Sequence, residues 1–216
     1  RCQIETLAGD YPAARAALSK AISIAGDSHR DLASAIHQHS FELMHWWRIG
    51  AHVLRNAPDS NEAATFLDAY NEHLYAYCPW RDEEFREYPA HGLLRHGASI
   101  AAAANDGDLA MSLLKRLGAI ADPLDKPIFG AILLAAMAET ATVLWAKDRR
   151  IARLILGESP NQYPGAMPTI KRCRIAFEGF YGLTDWVNRL GSDVQGVLAG
   201  RSDATALLDR SSCIGY

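Results

Sequence analysis

The chain has 216 residues, enough for one large domain or a short helical array with a real core. With 49% hydrophobic and 22% charged residues and a net charge of −3, it excludes an intrinsically disordered tail and offers no global attraction to nucleic acid. Four scattered cysteines, Cys2, Cys78, Cys173 and Cys213, form no Cys-x-x-Cys pair, which argues against a zinc ribbon or thioredoxin-type site and favours a reducing, cytoplasmic setting.

Read in chain order, almost every segment carries apolar residues at three- and four-residue steps, and period-two alternation is nearly absent. The chain opens at Arg1 within what reads as a truncated helix, so it is expected to be a piece of a longer protein. Gly9 permits a tight turn, and Asp10 suits the cap of a helix ending near Ala25. Ser28 with Asp31 starts a long helix to about Asn56, and Asp59 with Glu62 starts another to about Tyr77. Cys78-Pro79-Trp80 is a break, and the next segment, 82–104, contains Pro89, which should kink or restart it. Asn105 to Asp108 form a turn before a helix over 109–120. Pro127 suits the first turn of a helix expected to run to 156. A loop over 157–168 precedes helices at 169–181, 184–198 and 203–209, the last two capped by Thr184 and Ser202. Short connections between about nine helices predict antiparallel helical hairpins in one domain over 1–216, with a possible division into 1–122 and 123–216.

The stretch Gly9-Asp10-Tyr11-Pro12-Ala13-Ala14, followed by Leu18-Ser19-Lys20-Ala21-Ile22, resembles the turn and second helix of a tetratricopeptide repeat. Ala14 and Ala21, seven apart, share one face where a neighbouring helix can approach closely. The resemblance is specific over residues 6–25 and weak over 101–120, where Gly107-Asp108-Leu109 and Leu113 to Leu117 repeat the pattern without its alanines. Residues 88–117 also resemble helical arrays attached to signalling nucleoside-triphosphatases and large transcriptional regulators. The chain itself has no Gly-x-x-x-x-Gly-Lys-Ser/Thr loop. The resemblance implies an all-α fold, with helical hairpins stacked as a TPR-like α-solenoid. It also implies a protein-interaction or regulatory module that holds a peptide or helix in a concave groove. Self-association into a homo-oligomer is compatible with it, and no cofactor is implied.

All eight histidines lie between His29 and His96. On the helix over 28–56, His37, Phe41, His45, Arg48 and His52 fall within about 80° of one another at ~100° per residue. Such a face offers donors, positive charge and a stacking surface to an acidic or aromatic partner. Together with Trp80 and Arg81 at a nearby edge, these residues are the expected partner-binding surface. The competing account is a partly exposed face whose histidines pack or meet water. A small-molecule-sensing domain using the same face, or an α-helical enzyme with a site assembled across helices, are the alternatives to a protein partner.

Metal binding finds little support. His37 and His39 point about 160° apart on a helix, and His91 and His96 diverge by about 140°. A site assembled from several helices, such as His45, Glu72 and His73, leaves no local motif. The acidic cluster Asp82, Glu83, Glu84 and Glu87 suits the positive end of a helix dipole better than paired catalytic carboxylates. The adjacent Trp46 and Trp47 are expected to be buried by helices on either side. The basic cluster from Lys147 to Arg153, interrupted by Asp148, reads as a solvated helix face rather than a polyanion site. Residues 128–146 are long and apolar enough to span a bilayer, yet Glu139 near their middle predicts a buried central helix instead.

Overall fold

In the computed structural model all regular secondary structure is helical among the described residues, which are 10, 12–14, 16, 17, 20, 87–124, 127–157 and 165–211. Near the N-terminus, the Asp10 carboxylate accepts from the Ala13 amide at 3.1 Å and the Asp10 carbonyl from the Ala14 amide at 2.9 Å, so Asp10 caps the helical residues that follow. Ala14 is fully buried.

Seven helices follow: α1 (Glu87–Ala103), α2 (Gly107–Ile120), α3 (Pro127–Trp145), α4 (Arg149–Leu156), α5 (Ala166–Ala176), α6 (Tyr181–Leu198) and α7 (Ala206–Ser211). Pro89 is the third described residue of α1, and residues 82–86 of the expected segment lie outside the described residues. α1 and α2 form a tight hairpin. The Asn105 amide donates to the Ala102 carbonyl and the Asp106 amide to the Ala101 carbonyl, with Asn105 at φ 64°. That pair of bonds is a Schellman closure. Asp106 then caps α2 by accepting from the Leu109 amide at 2.9 Å. One three-residue connection, 104–106, thus ends one helix and starts the next.

α3 is the centre of the described fold. It packs against α1, α2, α4, α5 and α7. Its sequence has no polar stripe because it has no solvent face: Phe129 to Ala141 are all buried. Alanines at 131, 135, 136, 138 and 141 keep its surface slim, so neighbours can close on it from several sides. At Gly130 even a Cβ would come within 2.7 Å of Pro123, which holds the α2–α3 connection flat against the helix.

The single helix expected over 127–156 is in fact two. The chain leaves α3 after Trp145, where the amides of Lys147 and Asp148 both bond back to Leu144. The Asp148 carboxylate accepts from the Ile151 amide at 3.0 Å and starts α4. A short acidic side chain competes with the helical backbone and is better used as a cap. Three other boundaries also shift. α5 begins at Ala166, three residues before the expected start, because Pro168 fits a first turn; it ends at Ala176 before a turn with Gly179 at φ 90°. α6 begins at Tyr181, and Thr184 lies inside it, its hydroxyl donating to the Phe177 carbonyl at 2.6 Å rather than capping. The turn into α7 is closed by Asp203, which accepts from the Thr205 amide at 2.8 Å, while Ser202 is exposed.

Candidate functional site

The expected partner-binding residues His37, Phe41, His45, Arg48, His52, Trp80 and Arg81 lie outside the described residues, as do Trp46, Trp47, Glu72, His73 and Asp82 to Glu84. Glu87 is the first described residue of α1. Among the described residues no three His, Cys, Asp or Glu side chains gather as metal ligands.

The most unusual chemistry within the described part is buried between α1 and α3. Glu139, the one charge inside the apolar run of α3, is 4% exposed, and Arg95 of α1 is 6% exposed. The guanidinium meets the carboxylate with both arms: Nε donates to Oε2 at 3.1 Å and Nη2 donates to Oε1. Nη2 also reaches the Ser211 carbonyl at the end of α7, at 3.5 Å. Burying either charge alone would be prohibitive, and the forked geometry is what makes the pair tolerable.

Two more groups anchor the same end of α7. The Trp186 indole N–H of α6 donates to the Arg210 carbonyl at 2.9 Å, and Arg210 Nε donates to Asp193 Oδ2 at 2.9 Å. A helix of only six residues has little stability of its own. Donors from α1 and α6 supply partners for carbonyls its own backbone leaves open. Arg95 and Glu139 therefore tie α1, α3 and α7 into one body.

The surroundings of the pair are polar on a small scale. Ser99, one turn beyond Arg95, and Thr140, next to Glu139, are buried, and neither hydroxyl has a hydrogen-bond partner among the described residues. An arginine cannot give up a proton near neutral pH, and both Glu139 oxygens are engaged by it. The arrangement is suited to holding helices together, with no general acid or base poised to act. Cys173 is no nucleophile either: burial pushes its thiol up to about 12, far from thiolate at neutral pH.

Sequence reasoning singled out Glu139 and missed Arg95. Arg95 stands between Leu94 and His96, and no local motif links it to a carboxylate 44 residues away. The basic cluster after α3 resolves into an exposed face: Arg149, Arg150 and Arg153 point outward from α4, whereas Lys147 turns back and donates its Nζ to the Ala103 carbonyl. Burial there pulls the Lys147 amine below its ordinary value. Comparison of the chain with protein-family models, with curated proteins and with solved structures finds no match.

Proposed function

We propose that this chain is a protein-interaction or regulatory module, a TPR-like array of helical hairpins that holds a peptide or helix of a protein partner in a concave groove. The observation that carries the reading is the N-terminal turn. Asp10 caps a helix whose Ala14 is fully buried, as the tetratricopeptide pattern requires of its turn and its small contact residue. The tight α1–α2 hairpin, with its doubly used turn, favours the same architecture. The groove is assigned to His37, Phe41, His45, Arg48 and His52, with Trp80 and Arg81 at its edge, and the setting to the cytoplasm.

The test is a tagged pull-down from native lysate with quantitative mass spectrometry, comparing the chain with its Arg48→Ala/His45→Ala variant. A stoichiometric protein retained by the chain and lost by the variant is the expected result. Equal capture by both removes the groove assignment. No stoichiometric protein, together with a small molecule that raises the melting temperature, replaces the protein partner with a ligand.

A further inference from the structure

We propose that the exposed face of α4 is a second docking surface, for an acidic peptide segment of a partner protein. The inference is independent of the groove reading and concerns a different part of the chain. α4 buries Ile151, Ala152, Ile155 and Leu156 in the core and turns Arg149, Arg150 and Arg153 to solvent. At ~100° per residue the three arginines share an arc of about 100°.

Among the described residues little neutralises them. Asp148 is committed to capping α4, and its other oxygen lies 3.9 Å from Arg150, a side chain that is 73% exposed. Among the described residues Arg153 has no ion-pair partner. Arg149 rests on the Trp145 ring, 4.9 Å from its centroid. That stacking pre-orders its guanidinium, so less side-chain freedom is lost on binding. Arg149 and Arg150 also stand in the first turn, at the positive end of the helix dipole, where basic residues are unfavourable. The amides of these two residues donate to no described group. Side chains, dipole and open amides add to one anion-receptive spot.

Its dimensions select a peptide. The helix is eight residues, about 12 Å long. Asp148 borders it at its N-terminal end. A nucleic-acid backbone extends well beyond a face of this length, and the chain's net charge of −3 gives it no wider attraction. A bilayer would find nothing apolar to take up, since the apolar side of α4 is in the core. Carboxylates spaced three or four residues apart match three forked guanidinium groups.

The test uses the full chain and a fluorescein-labelled dodecapeptide with glutamate at every third position, read by fluorescence anisotropy. Saturable binding is expected at roughly 50 mM salt, weakening about tenfold at roughly 300 mM as charges are screened. It should weaken about tenfold or more in Arg149→Gln/Arg150→Gln/Arg153→Gln and disappear with a glutamine-substituted peptide. Lys115→Gln/Arg116→Gln, an exposed basic pair on α2, should bind as the wild type does. The triple variant should keep its helical circular dichroism and melt within about 2 °C of wild type or higher, since it removes charges from the wrong end of a dipole. If it does not fold, Arg153→Gln alone, which breaks no described contact, should weaken binding about threefold. Undiminished binding by the folded variants, or none by the wild type, overturns the proposal. Tighter arginine-dependent binding of single-stranded RNA or phosphatidylserine vesicles overturns the peptide as occupant.

Discussion

Two arginine–carboxylate pairs among the described residues engage both carboxylate oxygens, one through two guanidinium nitrogens and one through a single nitrogen, in opposite surroundings. Arg95 grips Glu139 with two arms in the core, with the two side chains 7% and 6% exposed. Arg172 of α5 grips Asp122 before α3, with Nη2 at 2.7 and 2.9 Å from the two oxygens, and there the side chains are 49% and 51% exposed. Coulomb attraction and charge-assisted hydrogen bonds to both carboxylate oxygens are common to both, although only Arg95 uses two nitrogens. What differs is the alternative open to each charge when its partner is removed. Asp122 or Arg172 would be hydrated at once, whereas Glu139 or Arg95 would face Ile, Leu and Ala side chains. The cost of losing a partner is therefore set by burial, and the geometry of the pair says little about it.

The largest effect expected follows directly. Glu139→Leu should strand the Arg95 guanidinium in the core and cost about 3–5 kcal/mol in urea unfolding, a large part of the stability of an ordinary domain. Arg95→Leu should cost a similar amount, with an added loss at α7 because the Ser211 carbonyl also loses a donor. The double variant Arg95→Leu/Glu139→Leu should recover most of the loss, since two apolar side chains of similar reach fill the space without a charge. A double variant as unstable as the singles would mean that the pair contributes net stability, and the contrast with Arg172–Asp122 would have to be drawn differently.

Asp148 lies between the two extremes, its side chain 35% exposed. It makes no strong ion pair, and its work is the cap bond to the Ile151 amide. Asp148→Ala should cost about 0.5–2 kcal/mol, and Asp148→Asn much less, because the amide oxygen can still accept. For a chain of this size the alanine variant should melt a few degrees lower, on the order of 2–4 °C per kcal/mol. If Asp148→Ala melts as the wild type does, the break between α3 and α4 is fixed by core packing alone.

These residues also mark what was legible in the sequence. The all-helical class followed from periodicity, and Asp10 and Pro127 stood where helix starts were expected, because caps and prolines act locally; α2 was expected from 109 after a turn over 105–108 and instead begins at Gly107, with Asp106 as its cap. Glu139 betrayed itself as a charge in an apolar run. Arg95 did not, because its partner is 44 residues away and no local rule connects them. Asp148 was read as an interruption of a basic cluster, and its role as a cap was overlooked since the apolar pattern runs on through Ile151 and Ile155. The contrast between α3, apolar nearly all round, and α4, with arginines on one face, is written in their sequences, but the break between them is not, because apolar residues continue in step across it. The groove residues from His37 to Arg81 lie outside the described residues, so the pull-down proposed above is their first test.

The smallest effect is the most specific to the exposed pair. The Leu124 amide, 3.0 Å from the Asp122 carboxylate, is the main reason that its carboxyl titrates below the ordinary value of 3.8, and Arg172 adds to it. A carboxyl with a depressed folded pKa stabilises the fold at pH values above its unfolded pKa. That contribution is lost as pH falls through the folded pKa, where both states carry the proton. Asp122→Asn should therefore melt slightly below the wild type at neutral pH, near the limit of measurement, because both groups are half exposed. The gap should close as pH falls below about 4, the unfolded carboxyl's range, and on through the lower folded value, where the wild type loses its advantage. Added salt at neutral pH should remove only the part owed to Arg172, since screening acts on the ion pair far more than on the Leu124 hydrogen bond. A gap that is independent of pH would assign the effect to the shape of the turn, and a gap that salt abolishes would put Arg172 ahead of the backbone amide.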